Sequence, residues 1–294
     1  MQDTTVIAGP ASVELSEKIA KELGAKLVAA ELRVFSDGES KIKLGGIANN
    51  CVIVQSTYPP VDMHIMQALM ISKKCADEGA QDVCVVIPYL AYSRQDREFL
   101  KGEAVTASLV AKMFDSAGAN HIVTVDVHSR LAISYFSSLE NISSIPQLAD
   151  HALKMNLHDP IAISPDLGGK ERANEFSNRL NTELITLKKT RDRTTGEVTI
   201  NEELDVDVTG RDAIIIDDMI SSGGSIVKAA RVLRDKGAGH VYAMCAHALL
   251  IGDAPQKIRA AGVYDIIATN SIPSEYAKVD LSPTIAEVIK KRYS

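Results

Sequence analysis

Short runs of β-branched residues recur along the chain, and each follows a helix-like stretch that closes on Gly-Ala. The unit appears as LGAKLVAAEL from Leu23, EGAQDVCVVIP from Glu78, AGANHIVTVDV from Ala117 and KGAGHVYAMCA from Lys236. Glycine at such a junction suits the left-handed residue that ends a helix. The runs that follow are apolar on both faces, as strands in a helix-covered parallel sheet should be. Helix and strand therefore alternate, which predicts an α/β fold with right-handed crossovers. The pattern divides into two halves, 1–143 and 144–279, with the break near the loop NISSIPQLAD. The closing SPTIAEVIKKRYS reads as a capped amphipathic helix over 280–294, able to pack on either half and grouped here with the first.

Composition narrows the possible partners. A chain of 294 residues holds one large domain or two ordinary ones. Its formal net charge of −6 argues against a general nucleic-acid binder, which carries a dominant basic face. Phosphate ligands stay open, because they need only local positive charge. The four cysteines, Cys51, Cys75, Cys84 and Cys245, show no C-x-x-C spacing, which disfavours zinc and dithiol redox sites. Buried reduced thiols and a cytoplasmic setting are expected. The opening MQDTTVIAG lacks the pattern of a secretory signal, and the longest apolar candidate, VYAMCAHALLI, is short and carries His247. No membrane partner is expected.

In open α/β sheets ligands collect at the carboxyl ends of strands. After AIII come Asp217 and Asp218, then Ser221, Ser222, Gly223, Gly224 and Ser225, then the helical IVKAARVLRDKGA. Glycines, hydroxyls and a helix N-terminus make a phosphate cradle. It is not a Walker loop, since no G-x-x-x-x-G-K-[ST] occurs. Two acids beside it would repel a bare polyphosphate; they suit sugar hydroxyls or a bound magnesium. An ordinary strand–turn–helix explains the double acid less well.

Other strand ends carry weaker signals. Arg94 and Gln95 follow VCVVIP, where a solvated mixed-charge start of a helix is the plainer explanation. Asp126 and His128 stand two apart in IVTVDVHS, on one face if the strand continues, and fit a metal or acid–base site or a core histidine. Asp166 ends IAISPD before LGGKERA, fitting a metal, a phosphate or a Pro-Asp turn. Asp37-Gly38 marks a hairpin, flanked by Phe35 and Glu39. LITLKKTRDRTTGEVTIN reads as a second hairpin, whose Lys188, Lys189, Arg191 and Arg193 form a basic island. Such a charge run is usually a solvated face. Beside an anionic site it could close over a polyphosphate.

The stretch IIIDDMISSGGS resembles the phosphoribosyl-diphosphate signature of type I phosphoribosyltransferases and their relatives. Ser221 stands where many relatives have Asp, and Ser222 and Ser225 replace the commoner Thr. SDGE, PYLAYSRQDR, TVDVHS, SPDLGG, KKTR and IIIDDMISSGGS follow in the order seen in ribose-phosphate diphosphokinases, and the resemblance covers nearly the whole chain. It implies two tandem type I phosphoribosyltransferase-like domains, each a mainly parallel sheet flanked by helices. It implies ATP, ribose 5-phosphate and Mg2+ as ligands, and a homo-oligomer whose hairpin reaches a neighbouring subunit's ATP site. By resemblance Phe35, Asp37, Gly38, Glu39, Arg94 and Gln95 contact ATP. Asp217, Asp218 and Ser221 to Ser225, with Arg191, hold ribose 5-phosphate. His128 and Asp166 match the metal positions, and Lys189 and Arg191 the catalytic pair. Two alternatives remain. A phosphoribosyltransferase would share the glycine loop but need no second half. A non-catalytic regulatory homologue would be expected to lose the basic pair or a metal ligand.

Overall fold

The structure is a computed structural model, describing residues 3–187, 189–191, 198–200 and 206–293. It divides into two compact units. The first comprises residues 1–143, 271–273 and 281–294; the second comprises 144–270 and 274–280.

The first unit holds β1 (Thr4–Ala8), α1 (Val13–Leu23), β2 (Lys26–Ala29), β3 (Glu31–Val34), β4 (Ser40–Lys43), β5 (Asn50–Val54), α2 (Val61–Asp77), β6 (Asp82–Ile87), α3 (Thr106–Ser116), β7 (His121–Val125), α4 (Arg130–Ile133) and β8 (Leu139–Ile142). The second holds α5 (Ile145–Ala152), β9 (Ile161–Ser164), α6 (Lys170–Leu180), β10 (Leu184–Thr186), β11 (Lys189–Arg191), β12 (Val198–Ile200), β13 (Ala213–Ile220), α7 (Gly224–Asp235), β14 (Val241–Ala248), α8 (Ala254–Ala260), β15 (Val263–Thr269) and β16 (Ala277–Val279). The closing helix α9 (Ser282–Arg292) belongs to the first unit.

Each unit is built on a parallel sheet. The strand orders are β2-β1-β5-β6-β7-β8 and β10-β9-β13-β14-β15-β16. The topology is the same twice: the second strand of each unit goes to the edge, a two-stranded antiparallel ribbon follows, and the next strand returns beside the first. That ribbon is β3–β4 in the first unit and β11–β12 in the second. The central strands are buried throughout, including Val83–Ile87 and Ala213–Ile216, so the continuous apolar runs reflect helices on both faces. Helices bury one stripe; α7 buries Ile226, Ala229, Ala230 and Leu233. Gly24, Gly79, Gly118 and Gly237 all take positive φ, as helix-ending residues do.

Three local readings change. Asp217 and Asp218 lie within β13 rather than after it, because pairing with β14 continues to Ile220↔Ala248. β7 ends at Val125, and Asp126 has φ +40°, so strand alternation does not set the relation between Asp126 and His128. α9 has no side-chain cap, its N-cap being Leu281; Pro283 sits in the first turn, where its fixed φ is pre-organised for helix.

Candidate functional site

In the second unit β13 carries Asp217 and Asp218 to the carboxyl end of the sheet. Their Oδ1 atoms accept from the backbone N–H of Asp218 (2.9 Å) and Met219 (3.0 Å), respectively. Burial pushes the Asp217 carboxyl up, and the neighbouring Asp218 adds to that; Arg172 opposes it. Ser221 then turns the chain, its carbonyl accepting from Ile251 N at 3.1 Å. Gly223 is buried at φ +77°, and a Cβ there would stand 2.8 Å from Ile258 Cδ1, so both conformation and space require glycine. Gly223 is also the N-cap of α7 and offers no capping side chain. The uncapped N-terminus leaves its positive end to an outside anion. Ser222 and Gly224 are exposed beside it, and Ser225 is half-buried.

Asp166 follows β9. Its Oδ1 accepts from Gly169 N at 3.1 Å and its carbonyl from Ser164 Oγ at 2.7 Å, which fixes the turn. Lys189 and Arg191 are the two ends of β11, paired with Ile200 and Val198 of β12. Their side chains, with Lys188, Arg193 and the ribbon's tip, lie outside the described residues.

In the first unit the Asp37-Gly38 turn closes the β3–β4 ribbon. Phe35 N donates to Glu39 O (2.8 Å), Glu39 N donates to Asp37 Oδ1 (3.1 Å), and Gly38 has φ +93°. Phe35 is exposed, with the Arg33 guanidinium 4.9 Å from its ring centre. Arg94 and Gln95 sit in a loop before α3, not at a helix start. Asp96, given no role by the sequence reading, organises that loop. Buried, it ion-pairs with Arg97 and accepts from Ser129 Oγ, one residue past the exposed His128; its carbonyl accepts from Tyr135. The hydrogen bond from Arg97 holds the Asp96 carboxyl below its ordinary range. Arg172, also missed, touches both acids of β13. Its one sequence signal is a base in the first turn of a helix.

Among the described residues no three His, Cys, Asp or Glu side chains cluster to hold a metal ion unaided. All four cysteines are free and buried; burial pushes the Cys84 thiol up to about 12. Among the described residues, no helix is long and apolar enough to cross a membrane.

These features define a two-unit α/β protein with its polar groups gathered at the carboxyl ends of parallel strands. Two family profiles match: the N-terminal domain of ribose phosphate pyrophosphokinase over residues 4–118, and the phosphoribosyl synthetase-associated domain over 202–293. The chain is 37% identical to a ribose-phosphate pyrophosphokinase of Sulfurisphaera tokodaii, covering 97% of this chain and 99% of the relative. A relative of the same name from Methanopyrus kandleri is 38% identical, covering 97% and 98%. The crystal structure of phosphoribosylpyrophosphate synthetase from Mycobacterium smegmatis superposes with a TM-score of 0.88 at 27% identity over 99% of both chains. The chain belongs to the ribose-phosphate pyrophosphokinase family.

Proposed function

We propose that the chain is a ribose-phosphate diphosphokinase, transferring the β,γ-diphosphoryl group of ATP to the 1-hydroxyl of ribose 5-phosphate and releasing AMP. The observation that carries the proposal is near full-length similarity to ribose-phosphate pyrophosphokinases in a chain that keeps the acid pair and glycine turn of β13–α7. Similarity over both units disfavours a phosphoribosyltransferase that would need only one.

Ser221 to Ser225 and the start of α7 hold the 5-phosphate. Asp217 and Asp218 accept hydrogen bonds from the ribose 2- and 3-hydroxyls. Phe35 meets the adenine ring, Asp37 and Glu39 the nucleotide's hydroxyl and amino groups, and Arg94 and Gln95 its phosphates. The sugar hydroxyl attacks the β-phosphorus in line, without a covalent intermediate. Lys189 and Arg191 offset charge that grows on the transferred group, and AMP departs.

Magnesium suits the donor set. It is typically held by one or two carboxylates with substrate phosphates and water, so a dedicated cluster is not needed. In the second unit Asp166, its carboxylate oriented by Gly169, is a candidate ligand, and in the first unit His128 is another; bound magnesium would neutralise phosphate charge. The same family reading makes the protein a cytoplasmic homo-oligomer with the β3–β4 ribbon completing a neighbour's ATP site. An apolar surface cavity of about 730 Å³ beside that ribbon, walled by Ile42, Met66, Leu69, Leu109 and Met113, supports self-association.

Purified protein with ATP and magnesium should release AMP only when ribose 5-phosphate is added, read by nucleotide chromatography. No AMP release, or consumption of supplied phosphoribosyl diphosphate only when a nucleobase is added, would contradict the proposal.

A further inference from the structure

Arg172 lies in the first turn of α6, where the helix dipole favours an acid over a base. Its side chain is only 20% exposed, so water does little to relieve that mismatch. The compensation comes from β13, next to β9 in the sheet. Nη1 stands 3.7 Å from Asp217 Oδ1 and Nη2 3.5 Å from Asp218 Oδ2. One guanidinium therefore spans two sequence-adjacent carboxylates, which alternation in a flat strand would send to opposite faces.

The distances matter. They are those of ion pairs, longer than good hydrogen bonds. Backbone N–H groups already orient both carboxylates through their Oδ1 atoms. Arg172 thus supplies charge without consuming the lone pairs that a hydroxyl would use. Arg172 opposes the proton sharing toward which burial and the neighbouring Asp218 push Asp217. The guanidinium lies beside the turn after β9: a Cβ at Gly169 would stand in ordinary contact with Arg172 Nη1, at 3.7 Å.

We propose that Arg172 is a positioning residue for sugar recognition, spacing and neutralising Asp217 and Asp218 so that both accept from the vicinal 2- and 3-hydroxyls of ribose 5-phosphate. The proposal rests on the sugar-phosphate reading of this strand end. It makes Arg172 a determinant of ribose over 2-deoxyribose, because a carboxylate aimed at a hydroxyl is left unpaired when that hydroxyl is missing.

The test compares wild type, Arg172→Met and Arg172→Lys. Calorimetric titration with ribose 5-phosphate and with 2-deoxyribose 5-phosphate is run beside steady-state kinetics. Arg172→Met should weaken ribose 5-phosphate binding about tenfold or more, the worth of a hydrogen bond to a charged group. It should narrow the preference over the deoxy sugar and leave the KM for ATP within about twofold. Arg172→Lys should recover part of the loss, since it restores charge without the fork. Unchanged affinity and preference in Arg172→Met would overturn the proposal. So would equal losses for ATP and both sugars, with a lowered Tm that Lys does not restore, which would mark a purely structural ion pair. If wild type binds ribose 5-phosphate without turnover, the synthetase reading fails while the titrations still decide the role of Arg172. If wild type binds neither sugar, both fall.

Discussion

Asp82 begins β6 and is gripped from α9: Arg292 donates to its two oxygens at 2.9 and 2.5 Å, and the Tyr293 hydroxyl donates at 2.6 Å. Burial alone would raise this carboxyl, but those hydrogen bonds and the arginine charge outweigh it and hold it below its ordinary value. A depressed folded pKa gives stability that is present above the unfolded value of about 3.9 and lost as pH falls through the lower folded one. Arg292→Met should therefore lower Tm at pH 7, and the gap from wild type should shrink as pH falls below about 3.9, followed by calorimetry. A gap constant with pH would contradict the assignment. Lys189 makes a different prediction. If it acts on transition-state charge, Lys189→Ala should lower kcat about 100-fold or more, with each KM within a few-fold. A large rise in either KM with kcat intact would remove it from that role.

At the scale of elements, the β13–α7 turn is where backbone geometry is least negotiable. Gly223→Ala would need a left-handed conformation and a contact of 2.8 Å with Ile258. The expected cost is about 1–3 kcal/mol, together with a raised KM for ribose 5-phosphate and little change for ATP. Equal stability and unchanged kinetics would show that the turn relaxes freely. This turn was legible in the sequence because small residues, adjacent acids and a following helix each have a local physical reason. The Gly-Ala junctions were legible for the same reason, a left-handed residue at a helix end. The extent of β13 was not, since Asp217 and Asp218 remain in the strand through pairing with β14, a partner distant in sequence. Nor was the departure of Asp126 from strand geometry, since it shows only as a positive φ where β7 ends. Arg172 stayed hidden because its partners lie on β13, distant in sequence, and the burial of Asp96 and its bond from Ser129 likewise arise only in the fold.

For the whole molecule, the repeated strand order gives each unit one inserted ribbon in the same topological place. One carries Phe35, Asp37 and Glu39; the other carries Lys189 and Arg191. The glycine turn and acid pair lie in the second unit. The proposed self-association would use the apolar cavity beside β4. Met66→Glu with Leu109→Glu, both exposed, should shift the protein toward monomer in sedimentation velocity. It should also raise the KM for ATP about tenfold if a neighbour completes that site. An unaltered oligomer would place the interface elsewhere.

Phosphorus NMR of one reaction tests the transfer of an intact diphosphoryl group most directly. With ATP, magnesium and ribose 5-phosphate, the β and γ resonances of ATP should disappear together. A coupled pair of new diphosphate signals on a sugar should replace them, in step with AMP. Loss of the γ signal alone, with ADP as product, would contradict the account.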